Sequence, residues 1–281
     1  MILKRPAQQS DLSPADNPSG IPPVKQQVRL AAILEKLRHT GTVNVDELRI
    51  EFGASLITIR RDLDQLERDG LLQRTHGGAV SIEPLFYQPF KNDLSFQAHL
   101  EKCAEEKRRI GRAAAALIKN GETIALTPGT TTLEVIRSLP FNHNITIVTN
   151  TVNIAMELSK RKDVNVFVTG GHLRGDWFSL VGPSGIHSLQ SILIHTLFVG
   201  VDGIDSAWGA SSFNAEEANL IAAMIKRSQR KIAVADHSKF GVVAGWRICE
   251  TTDFDMLITD TASSDESVSA FEQKGVDVMR V

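Results

Sequence analysis

The stretch Gly53-Ala54-Ser55-Leu56-Ile57-Thr58-Ile59-Arg60-Arg61-Asp62-Leu63-Asp64-Gln65-Leu66-Glu67-Arg68-Asp69-Gly70 decides the reading of the N-terminal third. Gly53-Ala54-Ser55 reads as a tight turn that ends in a helix-capping residue. Ile59, Leu63 and Leu66 then recur at helical spacing, and Gly70 closes the helix. That spacing turns one face inward. Ser55, Thr58, Arg60 and Arg61 fall on or near the exposed N-terminal half, with Asp62 beside them.

Working upstream, Val45, Leu48 and Phe52 predict a second short helix, with Asp46 and Glu47 in the first turn where the helix dipole favours acids. Before it, Val28, Ala32, Ile33 and Leu37 keep a helical spacing up to Gly41. Downstream, Leu71–Val80 reads as two short strands around a glycine tip flanked by Arg74 and His76. Two helices, a glycine-containing turn and a third helix match the helix-turn-helix plan, and the hairpin fits a wing. In that plan the front of the third helix enters the major groove, where arginine can grip guanine or phosphate. A wing would place Arg74 and His76 over the sugar-phosphate backbone. The alternatives are a charged helix face that only solvates the domain and a plain hairpin packed on the helices. Charge does not choose between them, because residues 24–74 carry nine basic and eight acidic side chains. Placement favours DNA: Arg60 and Arg61 lie near the helix start, Asp64, Glu67 and Asp69 towards its end.

The whole chain of 281 residues has a formal charge of −2, 42% hydrophobic and 23% charged residues. This excludes indiscriminate nucleic-acid coating but not a local basic surface. Cys103 and Cys249 share no short spacing with each other or with a histidine cluster, so no disulfide framework and no metal site is expected. The start, Met1-Ile2-Leu3-Lys4-Arg5-Pro6, lacks a signal peptide's apolar stretch, and no run approaches a membrane span. The reading is a soluble cytoplasmic protein. Five of ten prolines fall in residues 1–23, which read as a disordered arm whose Lys4 and Arg5 either touch phosphates or are merely solvated. Residues 24–80 form the helix-turn-helix unit, and 81–104, with Pro84 and Pro89, a connector.

From 105 onward strands alternate with helices. Candidate strands are Thr123–Leu126, Ile145–Thr149, Val164–Thr169, Thr196–Val199, Lys231–Ala235, Met256–Thr259 and Val276–Arg280; helical stretches include 105–119, 151–160 and 214–228. The fold class is therefore α/β: a small winged helix-turn-helix followed by a larger, open, mainly parallel sheet domain over 105–281. In such sheets ligands sit beyond the carboxyl ends of the strands. Gly129-Thr130-Thr131-Thr132 between a strand and a helix suits phosphate, since amides and hydroxyls face an anion there. Thr149 and Asn150, Gly170 and Gly171 with Arg174, and Gly200 with Asp202 end further strands. Each loop alone is equally an ordinary tight turn; together they point to one pocket. Asp236 and Lys239 follow the next strand, either as ligand contacts or as a surface salt pair. Glu217 is either a ligand contact or a helix-dipole residue. Trp177 and Phe178 either stack on a sugar ring or pack in the core.

The N-terminal block resembles the DeoR/GlpR family of bacterial regulators through Leu48, Phe52, Ser55, Thr58-Ile59-Arg60-Arg61-Asp62-Leu63, Leu66-Glu67, Gly70-Leu71-Leu72, Arg74 and His76-Gly77-Gly78-Ala79. The C-terminal segments resemble that family's sensor domain, which is similar in fold to ribose-5-phosphate isomerase, through Gly129-Thr130-Thr131, Thr149-Asn150, Gly170-Gly171, Gly182, Phe198–Gly203, Gly209, Glu217-Ala218, Met224, Asp236 and Ser238-Lys239-Phe240. The resemblance covers roughly residues 25–281. It implies a repressor of a catabolic operon, paired as a homodimer or homotetramer on double-stranded operator DNA. A phosphorylated sugar effector releases it, and no cofactor is implied. Three departures stand out: Ala54 where the family has valine, Thr127-Pro128 where it has Asp-Ser, and Ile221-Ala222 where it often has Lys-Arg. Loss of charge near the pocket leaves room for a sugar phosphodiester. An isomerase-like enzyme using Asp202, Glu217 and Lys239, and a ligand-dependent activator, are the competing readings.

Overall fold

The computed structural model describes residues 25–81, 94–140, 144–159, 161–175 and 177–281. The expected arm 1–23, with Lys4 and Arg5, lies outside the described residues, as does the part of the connector that holds Pro84 and Pro89. The chain divides into two compact units, Met1–Glu83 and Pro84–Val281.

In the first unit, α1 (Gln26–Thr40) ends at Gly41, whose φ of 72° lets its N–H reach the carbonyl of Leu37. The helix buries Leu30, Ile33 and Leu37, whereas Val28, read as part of the inward face, is 59% exposed. After β1 (Thr42–Asn44), Asn44 caps α2 (Val45–Phe52) by accepting from the amides of Asp46 and Glu47, and Val45, Leu48 and Phe52 are buried. Next come α3 (Leu56–Arg68), β2 (Leu72–Thr75) and β3 (Gly78–Ser81). The hairpin pairs with β1 in an antiparallel sheet of order β1-β3-β2. Strand β1 has a single buried apolar side chain, Val43, so it leaves no alternation to read. It requires Gly78: a Cβ there would stand 2.0 Å from the carbonyl oxygen of Val43.

The second unit runs α4 (Leu94–Glu101), α5 (Ala104–Ala116), β4 (Thr123–Leu126), α6 (Thr130–Arg137), β5 (Ile145–Thr149), α7 (Val152–Leu158), β6 (Val164–Val168), β7 (His172–Arg174), β8 (Ser179–Val181), α8 (Pro183–Ser188) and β9 (Ile194–Val199). It continues through β10 (Gly203–Asp205), β11 (Gly209–Ser212), α9 (Ala215–Lys226), β12 (Ser228–Val234), β13 (Trp246–Cys249), β14 (Met256–Thr259), α10 (Asp265–Glu272) and β15 (Asp277–Arg280). Seven strands form one parallel sheet, β15-β14-β12-β9-β4-β5-β6. They correspond to the seven expected strands, with ends shifted by up to three residues.

Strand alternation divides the core in two. Ala125, Leu197, Val199, Ala233 and Leu257 join Leu220, Ile221 and Met224 of α9 and Phe271 of α10 on one face. Ile124, Leu126, Phe198, Ile232 and Ile258 join Ile110 of α5, Leu133 of α6 and Ile154 of α7 on the other. Burial on both faces explains why these strands read as short apolar runs.

The strand order reverses at one place. From β4 the chain moves outward to β5 and β6, then returns to lay β9 on the opposite side of β4 and continues to β12, β14 and β15. The loops after β4 and β9 therefore diverge at their shared end, and this switch point is where open sheets make a crevice. Additions that the sequence does not signal are the hairpin β7-β8, the antiparallel sheet β10-β11-β13, and α4 within the segment read as connector. Among the described residues no helix is long and apolar enough to cross a membrane.

Candidate functional site

Helix α3 separates two faces cleanly. Ser55 caps it, its hydroxyl accepting from the Thr58 amide at 3.1 Å and lying 2.9 Å from the Thr58 hydroxyl. Ile59, Leu63 and Leu66 are fully buried, while Arg60 and Arg61 are exposed. Asp62 departs from the expected surface position: it is 1% exposed and accepts from Nε of the equally buried Arg29 at 2.5 Å. The pair ties the third helix to the first, with Gln26 donating to the same carboxylate at 3.3 Å. Two apolar side chains that the sequence reading did not single out are exposed at the helix front, Leu56 at 37% and Ile57. Ile57 is 71% exposed at the helix front, beside Arg60 and Arg61, and it breaks the apolar spacing of the core face.

The hairpin tip carries His76 in the open beside Gly77, whose φ is 92°. Arg74 is held back against α3: its Nη1 donates to Asp64 Oδ1 at 2.6 Å and to the Arg60 carbonyl at 3.1 Å, and its amide donates to Glu67 Oε1 at 2.8 Å. Its guanidinium thus braces the third helix against the wing.

At the switch point of the second unit a small, solvent-open cleft is lined by Gly129, Thr130, Thr131, Gly200, Asp202, Glu217 and Lys239. Residues that the sequence did not assign to it, His99, Pro128, Val201, Ser212 and Ile248, complete the wall with Trp177 and Ile221. The two diverging loops are latched together. The buried hydroxyl of Thr127 accepts from the Gly200 amide at 2.9 Å, and a Cβ on Gly200 would press to 2.9 Å from the Pro128 carbonyl oxygen. Threonine in place of an acid thus builds the crevice from below, as a backbone fastener. Above the latch, α6 starts without a side-chain cap. The Thr132 hydroxyl turns back to the carbonyls of Thr127 and Gly129, leaving the first amides of the helix for a guest. Across the cleft Lys239 has no ion pair among the described residues.

The acids of the cleft are occupied. Asp202 Oδ2 accepts from the Ser212 hydroxyl and the Phe213 amide, each at 2.9 Å. Glu217 Oε2 accepts from Arg174 at 2.6 Å and Ser179 at 3.0 Å. Burial pushes the Glu217 carboxyl above the usual carboxylate range, and the Arg174 guanidinium only partly offsets this. Nearby, burial lowers the ammonium of Lys107, against the attraction of Asp236.

Several expected contacts lie outside the cleft wall, each for a local reason. Thr149 spends its hydroxyl on the Leu126 carbonyl at 3.0 Å, and Asn150 donates to the Leu180 carbonyl at 3.0 Å. Gly171 packs so closely on β8 that a Cβ would stand 2.4 Å from the Val181 oxygen, and Gly170, at φ 74°, shapes the same turn. Arg174 points to Glu217, Thr132 faces inward, and Asp236 caps the following turn through Ser238. The loops after β5 and β6 are thus tight turns beside the crevice, and the contributing loops are those of β4, β9 and β12. Trp177 and Phe178 divide the two roles expected of them: Trp177 lines the cleft edge-on to His99 at 5.0 Å, and Phe178 is buried edge-on to Phe96 at 5.1 Å.

Residues 29–84 match the DeoR-like helix-turn-helix domain and residues 102–261 the DeoR C terminal sensor domain. A putative aga operon transcriptional repressor of Escherichia coli O157:H7 is 34% identical over 90% of this chain and 93% of its own length. The glycerol-3-phosphate regulon repressor of Escherichia coli K12 is 32% identical over 84% and 92% respectively. Ribose 5-phosphate isomerase A of Neisseria gonorrhoeae overlaps 49% of this chain and 53% of its own at 17% identity and a TM-score of 0.36, a distance at which no function transfers. With both domain models matched in order and relatives aligned over nearly the full length, the chain belongs to the DeoR family of DNA-binding transcriptional repressors.

Proposed function

We propose that this protein represses a carbohydrate-catabolic operon and leaves its operator when a small phosphorylated sugar enters the cleft of the sensor unit. One observation carries the effector class: Lys239, with no ion pair among the described residues, lines the same cleft as the start of α6, which has no side-chain cap. Cation and free amides together favour a compact anion. Trp177 and His99 give the same cleft an aromatic wall for a sugar ring. The printed names of two relatives, an aga operon repressor and a glycerol-3-phosphate regulon repressor, agree with a sugar or polyol phosphate. A phosphodiester remains within the class, because Ile221 on the wall carries no charge to demand a terminal phosphate.

On the DNA side, Ile57, Arg60 and Arg61 read bases, Ser55 and Thr58 fix the helix start, and His76 rides the backbone. The functional divisions are an arm over 1–23, a DNA unit over 24–80 and a sensor from about 105, with two-fold assembly as a dimer or tetramer to match paired half-sites. The protein works in the cytoplasm, and the cleft binds without catalysis, since Asp202 and Glu217 are engaged in structural bonds. The test is a thermal-shift screen of sugar phosphates, sugar phosphodiesters and free sugars, followed by operator binding with each hit. A hit at 100 times its Kd stabilises the native state by about 2.7 kcal/mol. Free sugars shifting stability as well as their phosphates would overturn the anion assignment, and conversion of a pentose phosphate would overturn the non-catalytic one.

A further inference from the structure

The fold brings Cys103 beside Asp236 and His237, two consecutive residues far from it in sequence. The sulfur of Cys103, a carboxylate oxygen of Asp236 and a ring nitrogen of His237 all lie within 4.8 Å of one another. Cys103 stands at the start of α5 in the left-handed conformation, φ 53°, and is half-buried; Asp236 and His237 follow β12. The Cys103, Asp236 and His237 cluster does not rest on the effector reading of the neighbouring cleft.

Two features distinguish it from a chance meeting of polar groups. First, Asp236 is 1% exposed, and its Oδ1 takes the Ser238 amide and hydroxyl while Oδ2 has no nitrogen or hydroxyl donor within hydrogen-bond reach. Lys107 Nζ stands 4.0 Å away, an ion pair at its outer limit, with two of its three donors on the carbonyls of His99 and Lys102. At that distance the ammonium supplies countercharge but no direct hydrogen bond, and a buried carboxylate oxygen lacking one is costly unless a ligand completes it. Second, the fully buried Asp260 grips His237 twice, at its amide at 2.7 Å and at Nδ1 at 3.0 Å. A carboxylate on one imidazole nitrogen fixes the ring, as in the outer-shell arrangement of metal-bound histidines.

We infer that Cys103, Asp236 and His237 form a site for one divalent transition-metal ion of the zinc class. Thiolate, imidazole and carboxylate together suit zinc or cobalt rather than magnesium or calcium. Three protein ligands leave a fourth position to solvent, on the side where Cys103 and His237 are partly exposed. The Cys103 thiol loses its proton to solvent on binding. The ion would fix the turn that presents Lys239 to the cleft.

The full, untagged chain, stripped with a chelator, is titrated with Co2+ and then challenged with Zn2+. The expected result is a thiolate-to-cobalt charge-transfer band that saturates at a single equivalent and is displaced by Zn2+. Cys103→Ser abolishes the band, whereas Cys249→Ser, removing a thiol buried in the apolar core, leaves it. His237→Ala, on the half-exposed turn, weakens binding at least about tenfold. No band, a band surviving in Cys103→Ser, or unchanged affinity in folded His237→Ala would overturn the inference; circular dichroism establishes that each variant is folded.

Discussion

Asp62 sits in the middle of a run of charges, yet it is the one that faces inward, and Arg29 is buried to meet it. Removing Asp62 takes the carboxylate at 2.5 Å from a buried guanidinium. Asp62→Ala should therefore lower the stability of the DNA unit by about 3–5 kcal/mol, read by denaturant unfolding. The outward neighbours should do the opposite. Arg60→Ala and Arg61→Ala should each weaken operator affinity by about 1–3 kcal/mol with no change in unfolding midpoint, measured by fluorescence anisotropy. In the cleft, Lys239→Ala should cost an anionic effector about 1.5–3 kcal/mol of binding, the worth of a charge-assisted hydrogen bond, with operator affinity untouched. Glu217 gives a pH signature. Its folded pKa is raised, so its contribution is fully present below the ordinary carboxylate pKa and is lost as pH rises through the raised value. The stability of the native chain relative to Glu217→Gln should fall as pH rises above the ordinary carboxylate pKa, and a difference that stays flat with pH would refute the burial argument.

Elements differ in how plainly they announce themselves. The parallel strands were readable because each is buried on both faces and must be a short apolar run, as Ile124-Ala125-Leu126 is. Helix α3 was readable because its cap, core spacing and closing glycine agree. The antiparallel additions were not: β1, β7 and β10 are three residues each, too short for a period, and exist through partners elsewhere in the chain. The cleft was half legible for a related reason. Gly129-Thr130-Thr131 and Gly200 carry local signatures of close approach. His99 arrives from α4 and Ser212 from β11, brought in by topology alone. The loops of β5 and β6 carry the same glycine and threonine signature yet stand aside, because sheet order rather than composition selects which loops diverge. Within the loops that do diverge, the Thr127–Gly200 latch should be intolerant of bulk. Gly200→Ala drives a Cβ against the Pro128 carbonyl and should abolish effector stabilisation in a thermal-shift assay while the circular dichroism spectrum persists.

At the scale of the whole molecule, effector and operator binding are proposed to be linked, and linkage is symmetrical. If effector lowers operator affinity by about 5–150-fold, saturating operator must lower effector affinity by the same factor, measurable by titrating effector with and without DNA. Unequal factors would show that the two ligands do not share one equilibrium. The clean division of α3 also bears on heredity. The side chains that hold the helix in place, Ile59, Asp62, Leu63 and Leu66, are not those that face outward, Ile57, Arg60 and Arg61. Substitutions at exposed positions away from such features usually move stability by no more than about 0.5 kcal/mol. If the three outward residues read the operator as proposed, a lineage can drift from one target sequence to another through folded intermediates at every step, and a single scaffold can be redeployed across operons by changing three letters of its alphabet.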